Sequence, residues 1–255
     1  MATTTSLITT ARLARSPAQK TSEPIIPTRD YYDELAKSYE SAFSHDTGLQ
    51  SFIQHALEQM LPHSRVLDIG CGTGKPVSWT MAAHGHQVHG IDLSPAMIKT
   101  CRQQVPTATF TATNMLEYDD DNDNEGSTEQ ADVVFAIFSL FCLSRAELAR
   151  MLDKMAGWLA PGGWLCLGTI CAEDLRTTRD MFDANGRCAS GVEMTFMGAR
   201  TLMTAFTRDG WRFMVERAGF EIVHTAADLF VPRRAPEVAS DDEMHYYIMA
   251  RKREG

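Results

Sequence analysis

The sequence predicts an α/β fold: a mostly parallel sheet, helices on both faces, and an antiparallel pair of strands at the end of the chain. Three observations carry that prediction. From Arg65 onward, short β-rich runs alternate with helical patterns, as strand–helix–strand units require. The first of these strands runs into a glycine turn that opens a helix, Val66-Leu67-Asp68-Ile69-Gly70-Cys71-Gly72-Thr73-Gly74. The last two strand patterns, 221–231 and 245–250, are joined by 232–244, a connection too short for a comfortable helical crossover.

The elements follow in order. Thr28 is placed to cap a helix on which Tyr32, Leu35, Ala36 and Tyr39 share one face, with Asp30, Asp33 and Glu34 suited to its positive start. A second helix over 47–60 carries Leu49, Phe52, Ile53, Ala56, Leu57 and Met60 on its apolar side and stops before Pro62. Strand 65–69, helix 75–84, strand 87–91, helix 95–104 and strand 108–112 come next. The apolar run 133–138 has no polar alternation, so it reads as a strand buried on both faces. Ser144 caps a helix of about 15 residues that ends before Pro161-Gly162-Gly163, and 164–170 is the next strand. Residues 172–205 break the rhythm with scattered Met and Phe and one short strand-like run, 192–197. They read as an insertion over the sheet edge that serves as a substrate lid. Thr207 caps a helix over 207–218.

Charge narrows the function classes. The net charge of −9 makes a poor non-specific partner for nucleic acid or an anionic membrane, because phosphate binding needs clustered Lys and Arg. Six acids fall between Asp119 and Glu129, read as a solvated connection rather than a calcium loop, since EF-hand helices and ligand offsets are missing. Residues 1–27 are expected to be a flexible tail. Its first 22 residues have three bases and no acid, a composition shared with mitochondrial transit peptides. No apolar run has the roughly 18 residues of a membrane span. The six cysteines form no C-x-x-C pair and read as reduced thiols. The expectation is a cytoplasmic protein, monomer or homodimer, with 28–255 as one domain and 28–62 as helices covering its site.

The glycine loop limits the ligand. Its spacing is G-x-G-x-G: Lys75 stands where a dinucleotide fingerprint needs its third glycine, and no G-K-[ST] follows. Asp68, two residues before the loop, repels a pyrophosphate and favours a ligand bearing ammonium and sulfonium groups. Asp92 ends the second strand, where an acid takes the two hydroxyls of a ribose. Together these describe a nucleoside joined to a cationic amino acid.

At these residues the chain resembles the class I S-adenosylmethionine-dependent methyltransferases of the small-molecule type. Gly90-Ile91-Asp92-Leu93-Ser94-Pro95-Ala96-Met97, Asp132-Val133-Val134-Phe135 and Leu159-Ala160-Pro161-Gly162-Gly163 stand in the family's order. Tyr32-Asp33-Glu34-Leu35-Ala36-Lys37-Ser38-Tyr39 resembles its cofactor-covering helix. The resemblance implies a Rossmann-like seven-stranded sheet and S-adenosylmethionine as cofactor. It places Gly70, Cys71, Gly72 and Gly74 along the methionine portion, Asp68 near its ammonium and Asp92 on the ribose. Leu93 and Met97 flank the adenine, with Asn114 and Met115 at its edge and Phe138 near the sulfonium. Tyr39 covers the methionine portion or is a helix–core tyrosine. Tyr31, Tyr32, Phe141, Met194, Met197 and Arg200 line the acceptor pocket or belong to core and surface.

Where many relatives carry a histidine after the fourth strand, this chain has Phe141-Cys142. No catalytic base is assigned. His224, His245, Tyr246, Glu173 and Asp174 are weighed for that part, and His245 reads first as a surface or sheet-edge histidine. No metal is expected: the fourth strand ends in Phe138-Ser139 without an acid, and His84, His86 and His89 span two backbone conformations. The expected activity, in small-molecule or secondary metabolism, is methyl transfer to a small, rather apolar metabolite, at oxygen ahead of nitrogen. The alternative is a cofactor-dependent cyclisation or elimination without methylation.

Overall fold

The computed structural model describes residues 27–36, 38–119, 130–233 and 239–254. Most of the expected tail and of the acidic connection, 1–26 and 120–129, lies outside them. The main sheet has seven strands. Its spatial order is β3 (Thr109–Ala112), β2 (Gln87–Asp92), β1 (Arg65–Ile69), β4 (Ala131–Ile137), β5 (Leu159–Ile170), β9 (Glu243–Lys252) and β8 (Phe220–Phe230). Strands β1 to β5 pair in parallel. Strand β9 runs antiparallel to both neighbours, with Gly168 opposite Tyr247 and Thr225 opposite Ile248.

The strand period of two sorts the core into two layers. Leu67, Val134, Leu165 and Ile248 face α6 (Arg145–Trp158) and α7 (Arg208–Arg217), which contribute Leu148, Met151, Trp211 and Met214. Val66, Val133, Cys166 and Met249 face the other way, toward Phe52 and Ile53 of α3 (Thr47–Gln59) and Met81 of α4 (Val77–Ala83). Each fully buried side chain of this size stabilises the fold by about 1.5–3 kcal/mol. Helix α6 begins with a capping box between Ser144 and Glu147, and Thr207 caps α7 through the Gly210 N–H.

Three elements depart from the sequence expectation. The first helix is two short ones, α1 (Arg29–Leu35) and α2 (Tyr39–Phe43), because the chain turns at Ser38, whose N–H bonds Leu35 O. Thr28 holds the cap position without a side-chain bond, whereas Asp46 caps α3 by accepting from Leu49 N–H at 2.8 Å. The insertion is a two-stranded hairpin of its own, β6 (Cys188–Phe196) and β7 (Ala199–Phe206), preceded by two 3₁₀ turns. Its strand-like run is longer than expected and has a partner, β7, that the scattered apolar residues did not mark. Helix α5 (Pro95–Gln104) matches its expected bounds, capped by Ser94. Among the described residues no helix is long and apolar enough to cross a membrane.

Candidate active site

The site forms at the carboxyl edge of β1, β2 and β4, where open α/β sheets hold ligands. Gly70 turns the chain out of β1 at φ +70°, and a Cβ there would meet the Ser139 Cβ at 2.3 Å. Gly72, at φ +55°, has nothing within 4 Å of such a Cβ. The first glycine is therefore required by packing, and the second leaves open space against bare backbone. Gly74 closes the turn through its N–H to Cys71 O. Two buried thiols lie under this loop, Cys71 and Cys101, with sulfurs 3.7 Å apart.

Asp92 fixes the loop from the side. It accepts from Gly72 N–H and Ser94 N–H, both at 2.9 Å, and burial raises its pKa to about 6. Asp68 is 2% exposed and accepts from Ser78 Oγ at 2.7 Å, and burial raises its pKa to about 7. Neither carboxylate is in an ion pair with a base among the described residues. The Oγ of Ser139, beside Gly70, is buried and has no hydrogen-bond partner among them.

A cavity of about 440 Å³ opens on this edge. Of the residues expected at the cofactor, Tyr39, Asp68, Cys71, Gly72 and Phe138 are on its wall. Phe138 adopts φ 52°, a left-handed conformation that costs a non-glycine residue about 1–2 kcal/mol, so the fold holds this ring in place against strain. The residues expected at adenine stand off the wall. Leu93 is 40% exposed, Met97 is buried beneath α1 and α2, and the Asn114 side-chain oxygen accepts from Leu116 N–H at 3.0 Å, with Met115 next to it.

The acceptor candidates divide. Tyr31, Tyr32 and Met197 join Tyr39, Phe43 and Phe196 in one cluster that closes α1, α2 and the hairpin tip over α5. The Tyr31 hydroxyl donates to Phe196 O at 2.6 Å, and the Tyr32 hydroxyl lies 3.4 Å from Cys142 Sγ. Phe141 and Met194 pack in the hairpin's own core, with Phe141 facing the Phe138 ring at 6.3 Å. Arg200 pairs with Glu193 across the hairpin. Cys142 is not poised as a nucleophile, since burial pushes its thiol pKa up.

His245 corrects the sequence reading. It is 1% exposed rather than at a surface, because its strand is interior, between β5 and β8. Its Nδ1 lies 2.8 Å from Asp46 Oδ2 and its Nε2 lies 2.8 Å from Glu243 Oε2. Tyr247 donates its hydroxyl to Asp46 at 3.2 Å. Burial opposes the imidazolium, but the two carboxylates outweigh it and raise the pKa of His245. Burial also opposes ionisation of Asp46, yet the bonds from His245 and Leu49 hold its pKa down; Glu243, whose burial wins, is raised. Asp46 and Phe138 bring this cluster to the cavity, and the Phe138 ring is 4.1 Å from that of His245. Glu243, His245 and Tyr247 stand at i, i+2, i+4, which is one face of a strand, so a polar stripe on that face was a readable signal. Asp46, from a distant helix cap, gave none.

Comparison with known proteins agrees with this geometry. Residues 67–165 match a family model described as a methyltransferase domain. Carboxy-S-adenosyl-L-methionine synthase of Salmonella paratyphi C is 26% identical over 171 residues, 63% of this chain and 68% of that one. Among solved structures, magnesium protoporphyrin IX methyltransferase of Synechocystis with bound S-adenosylhomocysteine superposes with a TM-score of 0.60 at 16% identity, covering 88% of this chain and 97% of that one. The N-methyltransferase NodS of Bradyrhizobium japonicum, also with S-adenosylhomocysteine, gives 0.60 at 16% identity over 89% and 98%. These two establish the fold. With the matched domain over 67–165, the glycine loop and the strand order, the chain carries a methyltransferase domain on a Rossmann-like fold.

Proposed function

We propose that this enzyme transfers a methyl group from S-adenosylmethionine to a small, rather apolar metabolite, at a hydroxyl oxygen or an amine nitrogen. The observation that carries the reading is the cover of tyrosine, phenylalanine and methionine that α1, α2 and the hairpin close over α5, with Tyr39 and Phe43 on the cavity wall beside Gly72. Such a cover suits a small apolar acceptor and keeps water from the reacting atoms.

The residues fit the cofactor. Asp68 is buried and Asp92 half-buried, neither with a basic partner among the described residues, which suits a cationic nucleoside. The space at Gly72 admits a ligand against bare backbone, and the unpartnered Ser139 Oγ supplies a further polar contact. Asp92 is held by two backbone N–H groups and retains acceptor capacity for ribose hydroxyls. Tyr39, Asp68, Cys71, Gly72 and Phe138, on the cavity wall, surround the methionine portion, with Gly70 and Gly74 shaping the loop, while Leu93, Met97, Asn114 and Met115 stand off that wall. S-adenosylmethionine supplies a methyl carbon on a positively charged sulfur, already electrophilic. The protein's share is alignment and exclusion of water, which reaches about 7–11 kcal/mol in well-oriented systems.

A second reading is favoured by the name of the curated relative, whose product is a modified S-adenosylmethionine. On that reading the chain alters its bound cofactor, or uses it in a cyclisation or elimination, without methylating an acceptor. One experiment separates the two. Methyl-labelled S-adenosylmethionine is incubated with the enzyme and a small-molecule extract. Label in a new metabolite, matched one to one by S-adenosylhomocysteine, is the expected result. Cofactor consumption without S-adenosylhomocysteine would exclude methyl transfer.

A further inference from the structure

The cluster around His245 is not used by the cofactor cradle. A histidine that only tied a strand to a helix would need one carboxylate, yet both ring nitrogens are taken. One imidazolium between two carboxylates leaves a surplus negative charge. Asp241 acts on Glu243, and Asp228 on Tyr247, to add to it. No Lys or Arg forms an ion pair with Asp46 or Glu243 among the described residues. Glu243 is 5% exposed, and while Oε2 bonds His245, Oε1 is buried with no hydrogen-bond partner among those residues. Burying a carboxylate oxygen unpaired is costly, more so than for a neutral group. The surroundings are aromatic: Phe230 stacks on His245 at 5.0 Å, Phe43 on Phe230 at 5.5 Å, and Phe138 joins the group to the cavity.

We infer that Glu243 is a recognition carboxylate for an organic ammonium group, and that the acceptor is a small amine with an aromatic or apolar body. The amine donates to Glu243 Oε1, and its body lies against Phe43, Phe138 and Phe230. Asp46 and His245 are positioning residues: they hold Glu243 in place through Oε2 and leave Oε1 to the ligand. This moves nitrogen ahead of oxygen as the methylated atom: the ammonium gives one proton to Glu243 Oε1, the freed lone pair attacks the methyl carbon, and the C–S bond breaks to release S-adenosylhomocysteine. Calling the ligand an acceptor rests on the methyl-transfer reading; the preference for a cation does not.

The test uses the whole chain and three probes of matched size: phenethylamine, phenethyl alcohol and hydrocinnamate. Each is titrated calorimetrically with and without saturating S-adenosylhomocysteine. Phenethylamine is expected to bind about tenfold or more tighter than the alcohol, with hydrocinnamate weakest, as a charge-assisted bond requires. Glu243→Gln brings the amine down to the level of the alcohol, while Asp153→Asn, at an exposed position of α6, leaves the order intact. Amine binding also shifts the His245 Nε2 proton resonance in the wild type and not in Glu243→Gln, a response that a merely structural histidine would not give. Equal binding of the three probes, no binding of the amine, or an unchanged preference in Glu243→Gln overturns the inference. If that variant does not fold, the wild-type order decides. Failure of S-adenosylhomocysteine to bind counts against the cofactor reading, and the order measured without it still decides for Glu243.

Discussion

Nδ1 of His245 lies 2.8 Å from Oδ2 of Asp46, a residue 199 positions earlier in the chain. This bond joins the N-terminus of α3 to the first residues of the central antiparallel strand, and Asp46 is only 4% exposed. One carboxylate thus caps a helix, holds an imidazole and walls the cavity.

Asp46→Ala removes the cap and leaves His245 facing one carboxylate in a buried site. Breaking a buried pair from one side costs about 3–5 kcal/mol. Urea unfolding should show a loss of that order. A loss below about 1 kcal/mol, the value of a cap by itself, would mean that the His245 contact contributes nothing.

His245 should carry a charge at pH values where an ordinary histidine has lost it. Its pKa is raised above 6.5, so at pH 6.5 more than half of it is imidazolium. Long-range proton–nitrogen spectra should show both ring nitrogens protonated there. The stability this charge contributes is fully present below pH 6.5 and is lost as pH rises through the folded value. A neutral tautomer at pH 6.5 would contradict the assignment.

Asp68 and Asp92 make cofactor binding pH-dependent. Each starts from 3.8 and is raised by burial, to about 7 and about 6. A raised folded pKa means that the fold prefers the protonated acid, so stability is full below about pH 4 and falls as pH rises through 6 and 7. A cationic ligand offsets that loss. The increase in Tm caused by S-adenosylmethionine should be larger at about pH 8 than at about pH 5. An increase independent of pH would remove both carboxylates from the ligand.

The loop glycines should separate packing from binding. Gly70→Ala collides with Ser139 and should unfold much of the protein. Gly72→Ala meets open space and adds mainly left-handed strain, about 1–2 kcal/mol. It should fold and yet lose S-adenosylhomocysteine affinity by at least about tenfold. Normal affinity would show that no ligand approaches Gly72.

What could be read from the sequence was local. Strand β1 and its glycine loop were legible because an apolar run, a carboxylate and three glycines are contiguous, and Ser144 and Thr207 announced their helices by cap chemistry. The closing antiparallel strand followed from the length of one connection. The division between α1 and α2 was not legible, because Tyr32, Leu35, Ala36 and Tyr39 fit one helical face whether or not the chain turns at Ser38. The hairpin partner β7 was missed because its pairing, not its composition, makes it a strand. The cluster of Asp46, Glu243 and His245 depends on a contact between chain ends, and a lone histidine at a strand start reads as an edge residue until its neighbours are known.

The central claim is that Asp92 and the glycine loop hold S-adenosylmethionine. Calorimetric titration of the whole chain with S-adenosylhomocysteine, in the wild type and in Asp92→Ala, tests it most directly. The predicted result is one site per chain in the wild type and a loss of affinity of about tenfold or more in the variant, as removal of a half-buried hydrogen-bonding carboxylate implies. No binding in the wild type, or equal affinity in the two proteins, would contradict the account.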